Sequence, residues 1–108
     1  MKEIIDIIQK KELIFKSLKP IDIKKFASRK KINIYLGVNL NRYYACIIHI
    51  KKKSRILSKE AVELMEFHKK LEVLNDSKIT KKYIYIQAPL CSKAKALFKE
   101  EKWKVWED

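Results

Sequence analysis

The chain has one glycine, Gly37, among 108 residues. Phosphate-cradling loops of the P-loop and dinucleotide-binding types need several, so those nucleotide sites are excluded. Two prolines, Pro20 and Pro89, and no Gly/Ser-rich stretch leave no linker and no low-complexity segment, and there is no internal repeat. The two cysteines, Cys46 and Cys91, have no metal-type spacing. They read as small buried hydrophobes in a reducing compartment rather than as a disulfide. Cys91-Ser92-Lys93-Ala94-Lys95 also lacks the arginine of a cysteine-phosphatase loop. Lys or Asp breaks every apolar stretch well short of a membrane span. Met1-Lys2-Glu3-Ile4-Ile5-Asp6 mixes charge with apolar residues, unlike a signal peptide. A cytoplasmic protein without a membrane partner is expected.

Acidic residues are also scarce, 13 Asp+Glu against 26 Lys+Arg, for a net charge of +13. Such a surplus on a small domain attracts polyanions, of which nucleic-acid backbones are the commonest in cytoplasm. All but Arg29, Arg42 and Arg55 of these cations are lysines, so a solvated lysine-rich surface is the competing reading. Hydrophobic residues make up 47% of the chain, enough for a single core without staples. One domain over 1–108 is expected, with an N-terminal helical segment (1–28) and an α/β core (31–106).

Ile4, Ile7, Ile8, Ile14, Phe15 and Leu18 recur at helical spacing, which predicts a helix over 3–18 interrupted only by Lys11. Pro20 ends it or opens a short segment, 21–28, whose Ile23 and Phe26 could cover the core. Ile32, Ile34, Leu36, Val38 and Leu40 then alternate with Asn33, Tyr35, Gly37 and Asn39, the period of a strand. A turn at Asn39-Leu40-Asn41-Arg42 follows, where asparagines tolerate left-handed backbone. The return strand, 43–51, is apolar on both faces and belongs inside the sheet. Gly37 marks a bulge or a close backbone approach. Ser58 is read as the N-cap of a helix reaching about Leu74, with Glu60 in its first turn. Its expected inner face is Ala61, Leu64, Met65, His68, Leu71 and Leu74, and Asn75-Asp76-Ser77 stops it. An interior strand over 83–88, a helix over 92–102 with Leu97 and Phe98 inward, and a short edge strand over 103–106 complete the chain. The order α-β-β-α-β-α-β implies an α/β fold: a mixed sheet with an initial hairpin, following parallel strands, and helices on both faces.

The run Ile47-Ile48-His49-Ile50-Lys51-Lys52-Lys53-Ser54-Arg55 carries a buried strand straight into a cluster of cations. Side chains two apart share a strand face, so His49 and Lys51 point the same way. Ile48-His49-Ile50-Lys51-Lys52, the following Lys53-Ser54-Arg55, and the later Tyr83-Ile84-Tyr85-Ile86-Gln87 strand with its helix resemble the PD-(D/E)XK nuclease fold. The restriction-endonuclease-like proteins and small Holliday-junction resolvases share that fold. The resemblance covers 31–106. It implies a divalent metal held by an acid one hairpin arm earlier and by the acid of the E-x-K pair, with the lysine positioning water. Carried over, those positions fall at Asn39, His49 and Lys51, and only Lys51 keeps its residue type. Magnesium wants hard carboxylate oxygens. The implied reading is a nucleic-acid-binding protein on a nuclease-like fold without the usual metal-dependent cleavage and with no cofactor.

Lys51, Lys52, Lys53 and Arg55 are the expected grip on a DNA or RNA backbone, leading to helix N–H groups. Arg42, Lys31, Lys30, Lys81 and Lys82 are candidates to extend it. Tyr43, Tyr44, Tyr83 and Tyr85 offer stacking surfaces if exposed, although half-buried strand tyrosines are the commoner outcome. His68, on an apolar helix face, reads as a satisfied boundary histidine rather than a ligand. An active nuclease using Mg²⁺ or Mn²⁺ with ligands from Glu12, Asp22 or His49 is the first alternative. Pro20-Ile21-Asp22 spells the start of the motif but lies in a segment read as helical. A small interaction domain, dimerising through the Trp103/Trp106 edge or the first helix, is the second.

Overall fold

The computed structural model describes residues 2–21 and 32–107. The elements are α1 (Lys2–Lys10), β1 (Phe15–Ile21), β2 (Ile32–Asn39), β3 (Tyr44–Lys51), α2 (Ser58–Asn75), β4 (Lys81–Gln87), α3 (Ser92–Glu100) and β5 (Lys104–Glu107). The strands form one sheet in the order β1-β2-β3-β4-β5. β1, β2 and β3 are antiparallel neighbours, whereas β3, β4 and β5 run parallel, joined through α2 and α3. The expected α/β class, hairpin, parallel members and two-faced helical cover are all present.

Alternation along the central strands sorts the core into two layers. Cys46, Ile48 and Ile50 of β3, with Ile84 and Ile86 of β4, meet Ala61, Leu64, Phe67 and Leu71 of α2 and Phe98 of α3. Ala45 and Ile47, with Tyr35, Tyr83, Tyr85 and Trp106, face Ile4 and Ile8 of α1. Among the described residues a single short helix covers this five-stranded face, and wide aromatic rings fill the rest of the layer. Tyr83 stacks on Trp106 at 5.1 Å between ring centroids and meets Phe15 edge-on at 6.2 Å. β3 lies at the centre of the sheet and β5 at an edge, as their patterns predict.

The front of the chain departs from expectation. The helix stops at Lys10, and Phe15–Ile21 is a strand rather than a continuation of it. A bulge between Phe15 and Ser17 shifts the register, so Phe15 and Leu18 both turn to the α1 side although they are three residues apart. That spacing imitates a helix in sequence. Pro20 sits within this strand, where an edge position tolerates its missing N–H. Ile23 and Phe26 lie outside the described residues, as do Asp22, Lys30 and Lys31.

Scarcity of glycine shows at the C-terminal end of each described helix. Glu12, Asp76 and Lys102 take left-handed backbone with φ of 58°, 52° and 64°. Each N–H closes back three residues, to Gln9, Val73 and Lys99, while the next N–H reaches the carbonyls of Ile8, Glu72 and Phe98. This is the terminating pattern that ordinarily recruits glycine. At the start of α2, Leu57 rather than Ser58 is the cap residue, and no side chain caps the helix. Leu74 is exposed, and Phe67 takes the buried place that the sequence reading left out. Gly37 meets a close approach: a Cβ there would lie 3.0 Å from Cδ1 of Phe15.

His68 and Glu72, one turn apart on α2, hold both backbone groups of Ile79 just before β4. His68 Nε2 lies 2.7 Å from the Ile79 carbonyl oxygen, and Ile79 N–H donates to Glu72 Oε2 at 2.8 Å. His68 is therefore a satisfied boundary residue, packed edge-on to Trp103.

Candidate functional site

β3 and β4 end side by side, with Lys51 paired to Gln87 and His49 to Tyr85. Across the hairpin, His49 is paired with Asn33. Directly paired residues share a face, so Asn33, His49, Lys51, Tyr85 and Gln87 assemble on the α1 side at one end of the sheet. His49 is buried. Its ring stacks on Tyr85 at 4.9 Å between centroids and 13° between planes, and its Nε2–H donates to Gln87 Oε1 at 2.6 Å. Asn33 and Lys51 are exposed at the rim.

Asn39 does not join this group. It lies at the hairpin tip, six residues along β2 from Asn33 and so about 20 Å away along the strand. Its side chain organises the turn, with Oδ1 accepting the N–H groups of Asn41 and Tyr43 at 3.0 and 2.9 Å. The residue across from His49 is Asn33, which the sequence reading passed over, together with Gln87. Glu12 follows α1 three residues before Phe15, the partner of Asn39, and so belongs to the tip end as well.

The cations separate likewise. Lys51, Lys53 and Arg55 are exposed at the His49 end of the sheet. Lys52 is taken up: its ammonium pairs with Glu60 in the first turn of α2, and its N–H reaches the Gln87 carbonyl at 3.2 Å. A parallel bridge between Ile56 and Leu90 ties the chain down again, so the intervening Lys53-Ser54-Arg55 stands out as a short loop. Beside it a groove of 570 Å³ is lined by Arg55, Leu57 and Lys59, and also by Glu60 and Glu63. Arg42 and Lys81 lie at the opposite end, by the tip. Lys82 is structural, donating to the Glu101 carbonyl and lying 5.8 Å from the Trp103 ring centre. Neither Arg42 nor Lys82 extends the Lys51 corner.

Of the five tyrosines only Tyr43 is exposed; Tyr35, Tyr83 and Tyr85 are core residues and Tyr44 is half-buried. Cys91, at the start of α3, has its thiol pKa held below the ordinary value. The N–H groups of Ala94 and Lys93 contribute most, and the charges of Arg55 and Lys93 add to them. Cys46 is the converse case, its thiol pushed up to about 12 by burial.

The residues at the His49 end do not suit a divalent metal of the magnesium kind. Asn33 and Gln87 are amides, Lys51 is a cation, and one nitrogen of the His49 ring is committed to Gln87. Mg²⁺ and Mn²⁺ sites are built from carboxylate oxygens. Among the described residues, no group of three or more His, Cys, Asp or Glu side chains is placed to hold a metal.

No protein-family model and no curated protein matches the sequence. The fold is nonetheless shared with solved structures. EndoMS in apo form is 18% identical, with a TM-score of 0.60, over 99% of this chain and 45% of its own. A complex of EndoMS with dsDNA gives 16% and 0.56, over 99% and 43%. A repair endonuclease from Pyrococcus abyssi gives 15% and 0.57, over 99% and 46%. At these identities the likeness is one of fold, and this chain spans less than half of each of those chains. Its fold is nuclease-like.

Proposed function

We propose that this chain is a DNA-binding domain that grips the sugar-phosphate backbone with the sheet end carrying Lys51, Lys53 and Arg55. On this reading it does not cut by the metal-dependent route. The observation that carries the second half is the residue set around His49, an imidazole and two amides beside a lysine, with the imidazole standing at the position where the resemblance calls for a carboxylate. Support for the first half comes from the net charge of +13, the exposed loop cations, and the nuclease-like fold that a DNA-bound EndoMS shares. Lysines on phosphates position a duplex without reading its bases, so binding is weakly sequence-selective. Two unpaired thiols, one of them buried, suit a reducing cytoplasm.

The chemistry open to the His49 cluster is positioning. Gln87 and Tyr85 fix the imidazole, and Lys51 places a cation at the rim where a phosphate oxygen can reach it. The test is incubation with plasmid, branched DNA and RNA in Mg²⁺ or Mn²⁺, alongside an anisotropy titration of a labelled duplex. Salt-sensitive binding with intact substrates is expected. Cleavage that disappears in Lys51→Ala overturns the non-cleaving half of the reading. Failure to retain DNA at low salt overturns the other half.

A further inference from the structure

The hairpin tip, at the opposite end of the sheet from His49, combines exposed apolar side chains with cations on one turn. Leu40 is 63% exposed and Tyr43 54%, with Asn41 and Arg42 exposed between them. The turn that carries them is closed by four hydrogen bonds. Asn39 Oδ1 takes two N–H groups, Asn39 N–H donates to the Tyr43 carbonyl at 3.0 Å, and Arg42 N–H donates to the Asn39 carbonyl at 3.0 Å. Two large apolar groups are thus held out in water on a fixed support. Three cations lie at the same end of the sheet, Arg42 within the turn, Lys16 on the bulge of β1 beside the partner of Asn39, and Lys81 paired with Ala45 next to Tyr44, with the carboxylate of Glu12 at that end too.

We infer that this tip is a second nucleic-acid contact, specific for unpaired or unstacked bases: Tyr43 stacks on an exposed base, Leu40 wedges beside it, and Arg42 meets the adjoining phosphate. The inference rests on the DNA-binding reading above and extends it to the kind of DNA preferred. A flat aromatic face and an apolar wedge match nucleobases whose π-faces are open. The three cations against one carboxylate match the phosphates on either side. A second copy of a chain with net charge +13 matches poorly, since it brings cation against cation. An already ordered tip loses little conformational freedom when it binds.

The experiment uses the full chain and two labelled duplexes of one sequence, fully paired and carrying a three-nucleotide gap, with 2-aminopurine in the gapped strand. Wild type is expected to favour the gapped duplex and to change the 2-aminopurine signal. Tyr43→Ala should weaken gapped binding roughly 5- to 150-fold, the range of base–aromatic stacking, and leave paired binding within about twofold, as expected of a contact made only to open bases. Tyr43→Phe should retain the preference. Since the side chain is exposed, circular dichroism of the variants should match wild type. Equal wild-type affinity for the two duplexes, or a Tyr43→Ala variant that keeps the preference, overturns the tip alone while salt-sensitive binding persists. If wild type binds neither duplex at low salt, the DNA reading itself falls. A concentration-dependent dimer abolished by Tyr43→Ala assigns the tip to self-association and also overturns the inference.

Discussion

Among the four cations that follow Ile50, burial and pairing divide the labour in a way that binding can measure. Lys53 and Arg55 are exposed on the loop, whereas the Lys52 ammonium is already paired with Glu60. Each phosphate contact releases counterions and steepens the dependence of log affinity on log salt by about 0.9 for B-DNA. The double variant Lys53→Ala/Arg55→Ala should therefore flatten the slope by about 1.8. Between 50 and 200 mM salt, a fourfold step, two such contacts account for about a twelvefold loss of affinity that the variant no longer shows. Lys52→Ala should leave the slope within a few tenths, because its charge is balanced inside the protein. Its cost should appear in folding instead, where the ion pair with Glu60 is lost and a urea midpoint drops. Fluorescence anisotropy of one labelled duplex at four salt concentrations measures every slope. An unchanged slope in the double variant refutes the assignment of the loop, as does a Lys52→Ala variant that flattens it equally.

The geometry has four further measurable outcomes. Lys102→Gly and Glu12→Gly should each stabilise the fold by about 1 kcal/mol in urea unfolding, because a left-handed position costs an L side chain about that much; destabilisation would show that these side chains hold something else. His68→Ala should cost about 1–3 kcal/mol by stripping a partner from the Ile79 carbonyl before β4, and a loss of a few tenths would mean that water replaces the ring. With iodoacetamide near neutral pH, Cys91 should react and Cys46 should not until the chain is unfolded, since one thiol pKa is lowered and the other stands at about 12. Arg55→Ala should move the midpoint of the Cys91 pH–rate profile upward, because it removes a cation that favours the thiolate.

Patterns with a single physical cause were legible in the sequence. β3 shows an unbroken apolar run because both faces of the sheet are covered there, β2 shows a period of two because Ile32, Ile34 and Leu36 share the α2 side, and the strands between helices dictated parallel pairing. β1 was not legible, since a bulge converts a period of two into a spacing of three and Pro20 reads as a helix breaker when it is an edge residue. The site was half legible. His49 and Lys51 follow from strand parity, but their neighbour across the hairpin depends on register, and register depends on the turn. Once Asn39 is placed opposite Tyr43, each step back along β2 is a step forward along β3, and the count reaches His49 at Asn33. Turn geometry hid this. The asparagine at the head of the turn serves as a side-chain acceptor, while Arg42, with φ of 68°, takes the left-handed place expected of an asparagine. A turn read by its ends would have put Asn33 in the cluster and left Asn39 at the tip, where its two accepted N–H groups hold Leu40 and Tyr43 out towards solvent.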